Sequence, residues 1–179
     1  QGHDQFKNLG AQKPAGWRYF PLATAHQALL AGNRQAGHGP LELHLAHEQC
    51  QGWYSFDEGG DSGSGGWRFY RTTWKHSVAM PHGWAVAELW LLLRDCLLHE
   101  DGQTLVLLGG VAPDWFQSEQ GMAVQDLPTC FGPCSFRYVL RGRKATMTLS
   151  GGAWPPRGHV LRMPKFLVAG ASAEGKPIE

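Results

Sequence analysis

The sequence predicts an α+β fold, with helices in residues 1–101 and an antiparallel β-sandwich in residues 102–179. The first part contains segments rich in alanine and leucine, which are strong helix formers. The second part contains short runs of β-branched and aromatic residues separated by glycine and proline turns. Hydrophobic residues make up 42% of the 179-residue chain, enough for a folded core. The composition therefore favours a folded protein with two dissimilar parts.

Three helices are expected in residues 1–101. The first covers Leu22–Ala31 and ends at Gly32, a residue typical of the position after a helix. The second covers Leu41–Gln49 and follows a proline. The third, Ala85–Leu98, is apolar on nearly every side, which is typical of a helix buried in a large protein. Because two short helices cannot cover it, we expect additional helices of a longer natural chain to do so.

Short strands are expected throughout residues 102–179. Phe136, Tyr138 and Leu140 alternate with Ser135, Arg137 and Val139, as in a half-buried strand. Several short strands at this spacing favour a sandwich of antiparallel sheets. The expected strands are Thr104–Leu108, Met122–Val124, Ser135–Leu140, Ala145–Leu149, His159–Met163 and Phe166–Val168.

Composition and spacing exclude several classes of partner and cofactor. The net charge is +1 without a basic cluster, so no nucleic-acid partner is expected. The apolar run Leu89–Leu93 is too short for a membrane span. His44 and His47 are three residues apart, unlike the four-residue spacing of a helical zinc motif, so neither a metal nor another cofactor is expected. The four cysteines indicate no particular compartment.

Aromatic residues and carboxylates cluster before the third helix. Aromatic rings can cover the apolar face of a pyranose while acids bind its hydroxyls, so the cluster indicates a sugar site. The cluster begins soon after the second predicted helix and ends at the start of the third. Its members are Trp53, Tyr54, Asp57, Glu58, Trp67, His82 and Trp84.

Three carboxylates are candidates for catalysis. Glycoside hydrolysis uses two carboxyl groups about 5 to 9.5 Å apart. The adjacent Asp57 and Glu58 would point apart in an extended loop, so they do not form such a pair by themselves. Glu88 lies one turn into the apolar helix, where burial favours a protonated carboxyl. The alternative for Glu88 is a structural role, as the partner of an arginine or as a helix cap.

An ordered series of segments carries a resemblance to a known family. These segments are Met80–Asp95, His99–Gly102, Leu105–Val111, Trp115 and Leu127–Pro133. In this order they resemble the C-terminal part of bacterial six-hairpin (α/α)6 glycosidase-like proteins, over about residues 15–168. The resemblance implies terminal helices of an (α/α)6 toroid followed by an antiparallel β-sandwich. It also implies that this chain is a portion of a longer protein. The first residues, Gln1–Gln5, contain no initiator methionine and no apolar segment, so we expect the chain to begin at an internal cut.

The resemblance further implies a carbohydrate-active protein that acts on an oligosaccharide or a glycoside. The remainder of the toroid, or a companion chain, would be its protein partner. Glu58 is the first choice for the catalytic or substrate-binding carboxylate, followed by Asp57 and then Glu88. Trp53, Tyr54, Trp67 and Trp84 would stack on sugar rings, and His82 would bind a hydroxyl. The alternatives are a non-catalytic carbohydrate-binding or structural subunit, and an assembly protein whose apolar helix docks a partner helix.

Overall fold

Residues 19–46, 82–164, 172–173 and 176–177 are described by a computed structural model of the chain. Within these ranges the protein is α+β, as the sequence predicts. The chain divides into two compact units, Gln1–Asp95 and Cys96–Glu179. The described α-helices begin in the first unit, and the described strands belong to the second.

Helix α1, Tyr19–Leu30, buries one face and ends at a glycine. Its buried residues are Leu22, Ala25, His26 and Leu29, and this spacing of three and four residues places them on one side of the helix. Gly32 has a φ of 89°, and its N–H donates to the carbonyl of Leu29. The N–H of Asn33 donates to the carbonyl of Ala28, which completes a Schellman motif. The predicted helix end at Gly32 is confirmed.

Helix α2, Arg34–Ala46, begins earlier than predicted. The expected start at Leu41 is wrong, because Pro40 lies inside the helix instead of before it. The side-chain oxygen of Asn33 accepts a hydrogen bond from the N–H of Ala36 at 3.1 Å, as an N-cap residue does. This cap stabilises a start well before the proline.

Helices α1 and α2 approach each other closely at a glycine. A Cβ atom at Gly37 would lie 3.3 Å from the Cβ of Leu29. Leu22 and Leu41 are fully buried in this unit. The short connection between the helices, together with this close approach, forms an α-hairpin.

Helix α3, Gly83–Leu97, is buried on one side only. Ala85 and Leu92 are fully buried, on the side that also carries Asp95. Another side is apolar and exposed, and the expectation that further helices of a longer chain would cover it stays a prediction. The exposed large side chains of this side are Val86, Trp90 and Leu91, and Trp84 is exposed in the first turn of the helix.

The first three-stranded sheet has mixed strand directions. Strand β1, Leu98–Asp101, follows α3 directly and pairs antiparallel with β2, Thr104–Leu107. Strand β6, His159–Leu161, pairs parallel with β2. The expectation of purely antiparallel pairing is therefore wrong for this sheet. Parallel neighbours need a long crossover, and here residues 108–158, which include the second sheet, form it.

The second sheet is antiparallel, with β4 at its centre. Its strands are β3, Met122–Leu127, β4, Cys134–Arg141, and β5, Lys144–Gly151. Phe136 and Tyr138 are buried while Arg137 between them is exposed, which confirms the predicted alternation. A short antiparallel pair follows, β7, Ser172–Ala173, with β8, Lys176–Pro177. The predicted strand Phe166–Val168 lies outside the described residues.

One hydrophobic core joins the two three-stranded sheets. The rings of Phe116 and Tyr138 meet edge to face, with their centroids 5.4 Å apart. Phe116 belongs to a short 3-10 helix, Trp115–Gln117. Residues of both sheets thus pack into a common interior. The core residues are Leu98, Leu105, Leu107, Leu108, Val111, Phe116, Cys134, Phe136, Tyr138 and Ala153.

Candidate functional site

A buried histidine joins helices α1 and α3. Nδ1 of His26 lies 2.6 Å from Oε1 of Glu88, and its Nε2 lies 2.7 Å from Oδ2 of Asp95. The residue is only 7% exposed. His26 belongs to α1 and both carboxylates belong to α3, so the imidazole bridges the two helices by charged hydrogen bonds.

The spacing of the two carboxylates explains how one imidazole reaches both. Glu88 and Asp95 are seven residues apart, which is nearly two turns, and they therefore share one face of α3. The planar imidazole carries its two nitrogens on opposite sides of the ring. His26 thus fits between the carboxylates and fixes the rotation of α3 relative to α1.

An arginine completes the cluster on its buried side. Nη1 of Arg94 donates to Oδ1 of Asp95 at 2.8 Å, so each oxygen of Asp95 has a cationic or imidazole partner. With His26 protonated, two positive charges balance the two carboxylates. A buried charge is tolerated when it is paired and hydrogen-bonded, which is the condition of this cluster. We call Arg94, Asp95, His26 and Glu88 the charged cluster.

The carboxylates favour the protonated form of His26. Its pKa is raised above the usual 6.5, chiefly by the hydrogen bond to Asp95. Burial opposes this rise, while the hydrogen bond to Glu88 and the negative charges of both carboxylates add to it. Only the imidazolium has a proton on each nitrogen and can donate to both carboxylates at once.

A group of aromatic rings lies at the start of α3, where Trp84 is exposed and His82 is buried. Trp84 is 70% exposed. Its ring centroid lies 5.8 Å from that of Tyr19 and 5.8 Å from that of His82, in tilted arrangements. Tyr19 also meets Phe20 edge to face at 5.5 Å. The first turn of α1 and the first turn of α3 thus build one aromatic surface, to which we refer as the aromatic group.

His82 caps helix α3, and this role fixes its proton. Its Nδ1 accepts a hydrogen bond from the N–H of Ala85 at 3.3 Å. A neutral imidazole with one accepting nitrogen carries its proton on the other. Nε2 of His82 is therefore a donor, and no partner for it is present among the described residues. Such a donor suits a hydroxyl or ether oxygen.

The structure describes three of the predicted site residues and brings two into contact. His82 and Trp84 meet in the aromatic group, and Glu88 follows Trp84 by one helical turn. Glu88 is paired with a histidine instead of the arginine considered from the sequence. The other predicted residues lie outside the described part of the chain. They are Trp53, Tyr54, Asp57, Glu58 and Trp67.

Sequence reasoning missed His26, Asp95 and Tyr19. Two signals for the charged cluster were available: the seven-residue spacing of Glu88 and Asp95 in an apolar helix, and a histidine on the apolar side of α1. Either signal alone is ambiguous, because the pairing of α1 with α3 is a tertiary contact. Tyr19 had no local signal, since it lies at the very start of its helix.

Comparisons with known proteins supply no relative for this site. No protein-family model matches the chain, and neither a curated protein nor a solved structure matches it. None of the helices described here has the length and apolar character to span a membrane. In the same residues, no group of three or more His, Cys, Asp or Glu side chains is arranged to hold a metal ion.

Proposed function

We propose that this chain provides a sugar-binding surface to a glycoside hydrolase-like protein, as the end of an (α/α)6 toroid and its C-terminal β-sandwich. The observation that carries the proposal is the exposure of Trp84 beside Tyr19 and His82. An exposed aromatic ring next to a hydrogen-bond donor suits a pyranose, which has an apolar face and a rim of hydroxyls.

The placement of Glu88 supports the same proposal. Trp84 and Glu88 are four residues apart on α3, so their Cβ atoms are roughly 5–6 Å apart on one face. This separation matches the dimension of one sugar ring. The Glu88 side chain is 14% exposed, and its Oε1 is held by His26. A carboxylate held in this position can accept a hydrogen bond from a sugar hydroxyl whose ring stacks on Trp84.

The fold of the second unit is compatible with the sandwich in this proposal. Two three-stranded sheets contribute to one core, as the two layers of a sandwich do. The ordered segments Met80–Asp95 and Leu105–Val111, which carry the resemblance, overlap most of α3 and β2. Within this proposal, Glu58 and Asp57 remain the first candidates for catalysis.

The test is saccharide binding by the full chain. Calorimetric titration would use neutral tetrasaccharides of glucose, xylose, arabinose and mannose, and aryl glycosides would test for hydrolysis. We expect binding of at least one tetrasaccharide. Trp84→Ala should weaken it by about tenfold, equivalent to about 1.4 kcal/mol.

Trp154→Ala provides a matched control for this experiment. Trp154 is 80% exposed and lies in the second unit, outside the aromatic group. Its replacement should leave saccharide affinity unchanged. Failure of every tetrasaccharide to bind, or equal losses in both tryptophan variants, would contradict the proposal. Hydrolysis that Glu58→Gln abolishes would add catalysis to binding.

The second candidate is a non-catalytic structural subunit that assembles with a companion chain. The exposed apolar side of α3 favours it, because large exposed apolar patches usually mark interfaces. Trp90 is 52% exposed at the centre of this side. Light scattering should show self-association of the isolated chain, and Trp90→Glu should abolish it. A wild-type chain that stays monomeric in the absence of saccharide would contradict this second candidate.

A further inference from the structure

We propose that His26 is a positioning residue, which holds the Glu88 carboxylate one turn from Trp84 as the acceptor for a hydroxyl of the stacked sugar. This inference rests on the sugar-binding function proposed above. It adds a residue from another helix to the site and assigns a role to the charged cluster.

The charged cluster has a buried end and an outer end. At the buried end, both oxygens of Asp95 are engaged, Oδ1 by Arg94 and Oδ2 by His26. At the outer end, Oε1 of Glu88 is engaged by His26, and no hydrogen bond to its Oε2 is present in the described residues. Within the described residues, hydrogen bonds therefore fix one oxygen of Glu88 and leave the other available for a ligand.

The line of residues along α3 directs this outer end toward the aromatic group. Trp84, Glu88 and Asp95 lie within a narrow stripe of the helix, at spacings of four and seven residues. Their exposure falls along the stripe, from 70% at Trp84 to 7% at Asp95. Helical side chains lean toward the N-terminus, so Glu88 leans toward Trp84. A sugar stacked on Trp84 would present its edge to Glu88.

The positioning depends on the protonation of His26. In the neutral imidazole a single proton remains, so the ring can donate to only one of the two carboxylates. The lone pair of the other nitrogen would then face a carboxylate oxygen, and these two acceptors repel each other. Deprotonation of His26 should therefore weaken the arrangement in which the ring holds both Glu88 and Asp95.

Helix α2 also packs on α1 and carries a histidine and a carboxylate. Helix α2 contributes His38 and Glu42, whose Nδ1 and Oε1 are 3.7 Å apart. Neither is among the causes of the raised pKa of His26. On α3 the groups that face His26 are Glu88 and Asp95, with Arg94 bound to the latter. The groups bonded to His26 are therefore those of the charged cluster, and His82 of the aromatic group is a separate histidine of the proposed site.

The experiment measures saccharide affinity against pH in the full chain, with whichever tetrasaccharide of the panel binds tightest as the probe. Wild-type affinity should fall as the pH rises through the raised pKa of His26. Glu88→Gln and His26→Gln should each weaken binding roughly tenfold to a hundredfold at about pH 6, the loss of one hydrogen bond to a charged group. His26→Gln should also remove the part of the pH dependence that His26 causes, which the difference between its profile and that of the wild type measures.

The wild-type profile keeps the inference testable if a variant fails to fold. An affinity that does not fall as the pH rises above about 6.5 would overturn it without any variant. Unchanged affinity in a folded His26→Gln chain would also overturn it, while leaving the sugar-binding function intact. The absence of any binding by wild-type protein would instead contradict the proposed function. His159→Gln, which replaces an exposed histidine of strand β6, is the control.

Discussion

Replacement of His26 by leucine should destabilise the helical unit strongly, and by an amount that depends on pH. The variant removes both hydrogen bonds of the imidazole, at 2.6 and 2.7 Å, from carboxylates that are largely buried. A hydrogen bond to a charged group contributes about 1.5–3 kcal/mol, so two contribute roughly 3–6 kcal/mol. Removing one partner from a buried ion pair typically costs about 3–5 kcal/mol. We expect about 3–5 kcal/mol for His26→Leu at about pH 6.

The pH dependence follows from the direction of the pKa shift. Because the pKa of His26 is raised in the folded state, the folded state binds its proton more tightly than the unfolded state does. The resulting stability is complete below the ordinary value of 6.5 and is lost as the pH rises through the folded-state pKa. The difference in unfolding free energy between wild type and His26→Leu should therefore decrease from about pH 6 to about pH 9.

Urea denaturation followed by tryptophan fluorescence is the appropriate assay. Six of the eight tryptophans precede residue 96, so the emission reports mainly on the first unit. His159→Gln, in the second unit, should change stability by less than about 0.5 kcal/mol at every pH. A loss below about 1 kcal/mol in His26→Leu, or a loss that is equal at all pH values, would refute the reasoning. Either result would mean that the buried imidazole does not carry the charge assigned to it.

Three further variants test the caps, turns and core by thermal unfolding. Asn33→Ala should lower the free energy of unfolding by about 1 kcal/mol, since it removes the side-chain acceptor for the N–H of Ala36; no loss would contradict an N-cap role. Gly151→Ala should destabilise the second unit by more than about 1 kcal/mol. Gly151 has a φ of 102°, and an added Cβ would lie 2.5 Å from the carbonyl oxygen of Pro133. A variant with the melting temperature of the wild type would refute this prediction. Tyr138→Phe should leave stability unchanged or raise it, since the buried hydroxyl has no hydrogen-bond partner in the described residues, whereas a loss above about 1 kcal/mol would reveal one.

Local patterns predicted the fold class and most of the described elements. Alternation in Ser135–Leu140 identified β4, because a half-buried strand repeats every two residues. The end of α1 was predictable from Gly32, since a positive φ there favours glycine. The start of α2 was not, because a proline is normally read as a helix start, and here Asn33 caps the helix earlier. Local signals thus predict elements well where one residue type determines the backbone.

The sequence did not predict which distant segments pair with each other. The parallel partner of β2 is β6, and residues 108–158 separate them, so no local pattern specifies that contact. Strand β1 was missed because Leu98–Asp101 follows α3 without a break. The sequence indicated Glu88 as a candidate site residue, but its partner His26 lies 62 residues away on another helix. A charged cluster of this kind becomes visible only when the helices are placed side by side.

Joining two helices through buried charges carries a large desolvation cost, which argues for a role of the charged cluster beyond stability. Apolar residues of similar volume are often as stabilising as a buried ion pair, or more so. Both helices are rich in leucine and alanine, so a purely apolar contact would suit their composition. A leucine contact, however, tolerates rotation of one helix about its axis, whereas two directional hydrogen bonds from one imidazole do not. His26 therefore selects one rotation of α3, and that rotation presents Trp84 to solvent with Glu88 one turn behind it.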